Sequence, residues 1–463
     1  MSATARLQTM RPTDIGIPGP TPLDMARAFR SVRADPLTFL TELSERFGDL
    51  VAFPVPGAPA LLVNDPDAAR HVLQTSARNW GKQTVQYTAL ARVTGPGLLA
   101  SSAPSWLDHR RVAAPAFHHR RLEAVSDQVR AAADTAITAT LGPGRATAGQ
   151  VVDVAALTHR IGLDAVGRAL FSTDLSARAS ELLDASSDAA RLVVRLGRSV
   201  LPTAAWAPTP TNLRLRSTHR RLTAICSELI AHRRASGRRL ARGSHGDDLL
   251  GLLLDGGMND DEVRDELVTM IIAGHETVAA ALAWTLMLLA EHQPVQDRVR
   301  TEVAAHGTPI SMLAQRERLP YTRAVVDEAL RLYPPAWALS RRARRADVLG
   351  DQLVPAGTLV IISPWLLHRR RDSWTDPLAF RPERFLHPGA GRVSYAPFGQ
   401  GPRLCIGREF ALGEMVLVLS RLLSERRVGL FPGWSRPTAE ATLAVHPRGG
   451  MPLLVTPVEG RER

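Results

Sequence analysis

Cys405 lies in F-G-Q-G-P-R-L-C-I-G-R-E-F-A, residues 398–411, a loop whose residue types suit a metal-bound thiolate. Such a sulfur must be stabilised as an anion and shielded from water. Gly399, Gly401 and Gly407 let the backbone turn tightly and approach a flat group. The apolar run that follows, A-L-G-E-M-V-L-V-L-S-R-L-L, starts a helix whose N-terminal amides and dipole favour negative charge on sulfur. Arg403 reaches the same region as a cation. The local pattern alone equally describes a buried cysteine in an ordinary loop. A second segment, I-I-A-G-H-E-T at 271–277, places Glu276 and Thr277 inside the most apolar stretch of the chain, Val268 to Ala290. Buried carboxylates are costly, so an acid beside an alcohol there is hard to justify by packing alone; a hydroxyl bonded to its own helix is the plainer alternative. Glu328 and Arg331 are three apart and neighbour one another on a helix. Trp106 and Arg110, four apart in W-L-D-H-R, share a helix face.

Phe398, Gly401, Arg403, Cys405 and Gly407 match, at every fixed position, F-x-x-G-x-R-x-C-x-G, and the chain therefore resembles the cytochrome P450 family. The resemblance implies that Cys405 is the axial ligand of the iron of haem b (iron protoporphyrin IX), its thiolate favouring O–O cleavage. Residues 271–277 are similar to the family's oxygen-activation motif, A/G-G-x-D/E-T. That implies catalytic roles for Ala273, Gly274, Glu276 and Thr277. Gly274 would let the face shared by Ala273 and Thr277 approach haem and dioxygen; Thr277 would bond dioxygen or a water, and Glu276 would relay protons. Val278 departs from the Thr or Ser frequent there, which bears on the water network rather than the reaction. His275 reads as a packing or substrate-side residue. E-A-L-R at 328–331 and F-R-P-E-R-F at 380–385 resemble the family's E-x-x-R and later Arg motif, implying a buried scaffold of Glu328, Arg331 and Arg384. W-L-D-H-R resembles W-x-x-x-R, which places Trp106 and Arg110 on a haem propionate. Arg341 fits a second propionate arginine, with Arg342 its rival, and Arg403 a third. His118 and His119, in a basic run, read as solvated surface rather than a second axial ligand. The matches run in family order from 106 to 411.

The elements that must position these residues are mainly helical. Apolar residues at three- and four-residue spacing run from about 65 to 332, and a last helix spans about 406 to 424. β runs appear at 50–55, 60–63 and 352–363, and 79–102 reads as a long loop. The expected fold is mainly α with a minor β portion, the cytochrome P450 fold. Residues 1–22 read as an irregular Pro-rich segment and 23–463 as a single domain.

Composition is globular, with 45% hydrophobic residues and a formal charge of 57 − 45 = +12. Lys82 is the only lysine, so the positive charge is almost wholly arginine. The arginines are scattered and no aromatics are interleaved with them, which argues against nucleic acid. Two cysteines argue against a disulfide framework and for a reducing, cytoplasmic setting. Val268 to Ala290 is long enough to span a bilayer, but His275 and Glu276 at its centre make it a buried helix of a soluble protein without a membrane anchor. The resemblance implies a monomeric haem-thiolate monooxygenase. It would insert one oxygen atom of O2 into a hydrophobic substrate, with NAD(P)H-derived electrons from a separate ferredoxin and ferredoxin reductase. Arg120, Arg121, Arg369 and Arg370 are docking candidates, though such runs also occur as solvated faces. Leu98, Leu99, Ala338 and Leu339 are candidate pocket residues, apolar and suited to a terpenoid or polyketide of secondary metabolism. The rivals are a peroxide-driven peroxygenase or fatty-acid hydroxylase on the same haem, and a non-catalytic haem sensor.

Overall fold

A computed structural model gives the architecture; it describes residues 16–55, 59–142, 149–175, 178–197, 206–237, 245–307, 311–387, 389 and 393–458. Residues 1–15 of the expected N-terminal segment lie outside this range, and 16–21 are irregular. Helices α1 (Pro22–Ala34) and α2 (Pro36–Phe47) come first. Thr21 and Asp35 cap them through side-chain oxygens, and proline fills the first turn, where its missing N–H costs nothing. Strands β1 (Leu50–Phe53) and β2 (Ala60–Val63) lead to α3 (Pro66–Arg70), which a wide turn prolongs over His71–Thr75, and then to β3 (Trp80–Gly81).

The helical body follows: α4 (Val85–Thr94), α5 (Ser105–Ala113), α6 (His119–Ala124), α7 (Ser126–Leu141), and, after β4 (Gln150–Asp153), α8 (Val154–Phe171). Next come α9 (Ala179–Gly197), α10 (Pro210–Gly237), α11 (Leu249–Asp255), α12 (Asp260–Glu291), α13 (Gln293–His306), α14 (Gln315–Arg318) and α15 (Pro320–Leu332). The remainder comprises β5 (Leu339–Ala343), β6 (Asp347–Leu349), β7 (Gln352–Val354), β8 (Leu359–Ile362), α16 (Pro364–Leu367), α17 (Arg408–Glu425), β9 (Arg426–Gly429), β10 (Ala439–Ala441), β11 (Val445–Pro447) and β12 (Pro452–Pro457). The fold is mainly helical with small sheets. The largest has the order β1-β2-β8-β5-β3, and β4-β12-β9 closes a second.

The stretch 79–102, expected as a long loop, instead holds β3 and α4. Thr84 caps α4, and Ala89, Leu90 and Val93 bury one face of it. The stretch 352–363 holds two strands: β7 pairs with β6 while β8 joins the main sheet between β2 and β5. Helix α12 is the one described helix long and apolar enough to cross a membrane, yet most of it is buried inside the protein. Trp284 anchors its C-terminal half, donating to the Val445 carbonyl at 2.8 Å and stacking on Tyr333 at 4.0 Å between centroids. On its other side α12 lies so close to α8 that a Cβ on Gly274 would stand 2.8 Å from Val166 Cγ2.

Candidate active site

The cysteine loop is shaped by two glycines with left-handed backbone, Gly399 (φ +69°) and Gly401 (φ +70°). A side chain at Gly401 would fall 2.1 Å from the Leu73 carbonyl oxygen, so the loop packs directly on the wide turn after α3. The Cys405 N–H donates to the Phe398 carbonyl at 3.1 Å, and α17 begins three residues later at Arg408. Protein surrounds Cys405, yet its side chain stays accessible, so the thiol faces an internal space rather than packed atoms. Burial raises its pKa; the Gly407 N–H and the charges of Arg110, Lys82 and Arg408 oppose that rise. Gly407, partly buried, lies against Phe117.

Arg110, Arg341 and Arg403, expected from sequence, gather near this thiol with a fourth cation the sequence reading passed over, Lys82. Arg403 stacks on Trp106 with its guanidinium carbon 3.8 Å from the ring centroid, and Arg110 stands 5.7 Å from the same ring. Arg341 donates to Tyr87 Oη at 3.4 Å, and Lys82 Nζ lies 4.5 Å from the Tyr87 ring centroid. Burial, then repulsion by Arg341, Arg403 and Arg110, holds Lys82 well below the usual ammonium range. Burial and Arg341 likewise push Arg403 down to about 10. None of the four cations makes an ion pair among the described residues. Arg342, the rival to Arg341, points the other way along β5 and donates to the carbonyls of Gln83 and Gly357. Two buried and two half-buried cations lacking counter-charge, beside a thiol open to internal space, fit a haem: Cys405 to its iron, the cations and the Trp106 indole to its carboxylates.

On α12 every residue from Asp265 to Ala290 is buried except Ala273, Gly274 and Thr277. These are three of the positions read as facing haem and dioxygen. Thr277 donates to the Ala273 carbonyl at 2.8 Å, the plainer bond weighed from sequence. Gly274 departs from expectation, since the close approach it permits is to Val166 of α8. Glu276 is buried, and its Oε2 has no hydrogen-bond partner among the described residues. Desolvation pushes its carboxyl up to about 8, against the weaker pull of Arg191. His275 donates from Nδ1 to the Ile271 carbonyl at 2.6 Å, and burial pushes it down to about 3. It is a neutral packing ring in a file with His159 and His446.

The structure brings Glu328, Arg331 and Arg384 together. Glu328 accepts from Arg331 Nε at 2.7 Å and Nη2 at 2.8 Å, from Arg384 Nε at 3.1 Å and from the Arg381 N–H at 2.9 Å. Arg331 also donates to the carbonyls of His368, Pro377 and Ala379, so this fully buried pair has its lone pairs and protons satisfied. Of the docking candidates, Arg369 is half-buried, stacked on Trp365 and bonded to the Leu332 carbonyl. Arg370 is held by Asp49 and Asp372, and Arg121 by Asp247, which leaves Arg120 exposed. Leu98 is buried, whereas Leu99, Ala338 and Leu339 are half-buried; Leu339 Cδ1 lies 3.7 Å from where a Gly399 Cβ would be.

A family model described as Cytochrome P450 matches residues 17–454. Pentalenene oxygenase of Streptomyces avermitilis is 33% identical, covering 93% of this chain and 95% of that protein. Cyclooctat-9-en-7-ol 5-monooxygenase of Streptomyces melanosporofaciens is also 33% identical, over 86% of each chain. The crystal structure of CYP175A1 from Thermus thermophillus is 29% identical, with a TM-score of 0.75 over 95% of this chain and all of that one. A thiol facing internal space, a nest of cations without ion-pair partners among the described residues, and a buried acid beside an accessible alcohol thus coincide with a match along nearly the whole sequence: the chain belongs to the cytochrome P450 family, the haem-thiolate monooxygenases.

Proposed function

We propose that this protein is a terpenoid-tailoring monooxygenase of secondary metabolism. It would insert one oxygen atom of O2 into a C–H or C=C bond, while two electrons and two protons reduce the other atom to water. The observation that carries this reading is the accessible stripe of Ala273, Gly274 and Thr277 on an otherwise buried helix, with protonatable Glu276 beside it. Bound through Cys405, haem b would supply oxygen activation and O–O cleavage. The chain supplies the surroundings. Glu276, raised to about 8, holds a proton at neutral pH. Thr277 gives its own proton to the Ala273 carbonyl, which leaves its lone pairs to accept one from a water. Leu98, Leu99, Ala338 and Leu339 would line an apolar pocket. Terpenoids are preferred over polyketides because the relatives' names specify pentalenene and cyclooctat-9-en-7-ol, both terpenoids.

Members of this family take electrons from redox partners. A ferredoxin fed by its reductase is the partner we favour, since a formal charge of +12 with exposed Arg120 would steer an acidic protein. Two unpaired cysteines agree with a cytoplasmic setting. The test has two arms. Terpenoids, polyketides and fatty acids are screened for a low-to-high spin shift, and a response confined to polyketides or fatty acids refutes the substrate class. Turnover is then compared with a ferredoxin–reductase pair and NAD(P)H against hydrogen peroxide; product from peroxide alone would make it a peroxygenase.

A further inference from the structure

Lys82 is the one lysine among 57 basic residues, and it is buried. Its Nζ donates to the Leu99 carbonyl at 2.8 Å. Two residues on, the Ser101 carbonyl accepts from Arg403 Nη1, also at 2.8 Å. The same segment lies flat on α12 from its other side. A side chain at Gly97 would meet Thr269 Oγ1 at 2.3 Å, and one at Gly95 would meet the Asp265 carboxylate at 2.1 Å. Within the segment the N–H groups of Ala100 and Ser101 converge on the Gly97 carbonyl, at 3.0 and 2.9 Å. Residues 95–101 are therefore seated on α12 by glycine contacts and tied to the cation nest by two carbonyls. Leu98 and Leu99 lie between these fixings.

We propose that Lys82 is a positioning residue that couples the cofactor-binding cations to the substrate pocket: it holds the Leu99 carbonyl so that segment 95–101 presents Leu98 and Leu99. This rests on the reading of those leucines as pocket residues. An ammonium suits the role because it is compact, has three donors and sits on a flexible stem, whereas a guanidinium is a wide planar fork. A hydrogen bond from the Lys82 side chain to a buried carbonyl biases a local equilibrium by about tenfold.

The holoenzyme and its Lys82→Met and Lys82→Gln variants provide the test. Methionine keeps the stem and loses the donor; glutamine keeps a neutral N–H donor without the charge. Dissociation constants for imidazole and for the bulky azole clotrimazole are read from the Soret red shift, and deuterium uptake is followed in peptides covering 95–101. Lys82→Met is expected to weaken clotrimazole by at least about tenfold more than imidazole and to speed exchange at 97–101, with Lys82→Gln recovering both. Three results overturn the proposal. Equal changes for the two azoles would mean general loosening of the site. Haem loss in both variants, with unchanged exchange at 95–101 in their apoproteins relative to the wild-type apoprotein, would make Lys82 a cofactor anchor alone. Faster exchange with unchanged clotrimazole binding would show that the tie exists but that Leu98 and Leu99 are not pocket residues.

Discussion

Replacing Glu276 with glutamine should make the protein more stable and a poorer catalyst, and the stability gain should depend on pH. An exposed carboxyl titrates near 4.5, whereas desolvation on α12 raises Glu276 to about 8. Between these values the folded state holds a proton that the unfolded chain has released, so stability falls as pH rises across the window. At pH 7 the cost is the 2.5-unit gap at about 1.4 kcal/mol per unit, about 3 kcal/mol. It is about 2 kcal/mol at pH 6 and about 4 at pH 8, and it levels off above that as the folded carboxyl ionises. Glutamine has no such titration, so its advantage over wild type should grow by about 2 kcal/mol from pH 6 to pH 8. Urea unfolding at fixed ionic strength, with unchanged slope, measures this difference. Product formed per NAD(P)H consumed should fall in the same variant, since its amide cannot pass on a proton; loss of general acid–base help is worth about a hundredfold or more in rate. A stability difference that is flat from pH 6 to pH 8 would refute the raised carboxyl, and coupled turnover at wild-type rate would remove Glu276 from the proton path.

Arg331→Met strips the buried Glu328 of its main partner and removes a donor from the carbonyls of His368, Pro377 and Ala379; it should cost about 3–5 kcal/mol and show as lost soluble holoprotein. Gly401→Ala forces a side chain to within 2.1 Å of the Leu73 carbonyl at a positive φ, and should abolish the thiolate-type Soret band of the reduced carbon monoxide complex. Arg120→Glu should slow ferredoxin-driven turnover, most at low salt, and leave peroxide-driven turnover untouched.

The cysteine loop, the acid–alcohol pair and the E-x-x-R scaffold were legible because each is a short segment whose spacing restricts its geometry. Partners hundreds of residues apart were not. The file of His159, His275 and His446 is assembled from α8, α12 and β11, and no local pattern announces it. Helix α4 escaped notice because it is short and has glycines beyond its C-terminal end, although the cap at Thr84 and the spacing of Ala89, Leu90 and Val93 were readable. Arg369 looked like one of a solvated basic run, R-R-R at 369–371; only the packing on Trp365 and the bond to the Leu332 carbonyl show that it is half-buried and held.

Lys82 marks the boundary between these cases. Its rarity was visible in the sequence, and it could have been used: where every other basic position holds arginine, a lone lysine points to a place a guanidinium does not suit. Rarity could not say where that place was. The structure puts it among Arg110, Arg341 and Arg403, where burial first and then repulsion by neighbouring cations lower the pKa of Lys82 and Arg403. Such an arrangement persists in a stable fold only if something else offsets the repulsion. Backbone carbonyls and the aromatic faces of Trp106 and Tyr87 do part of that in the protein itself. The remainder is a standing demand for anionic oxygen, which two haem propionates would meet. The cations and the thiol would then be complementary halves of one specification: the nest would select a cofactor with acidic arms, and the thiol its metal.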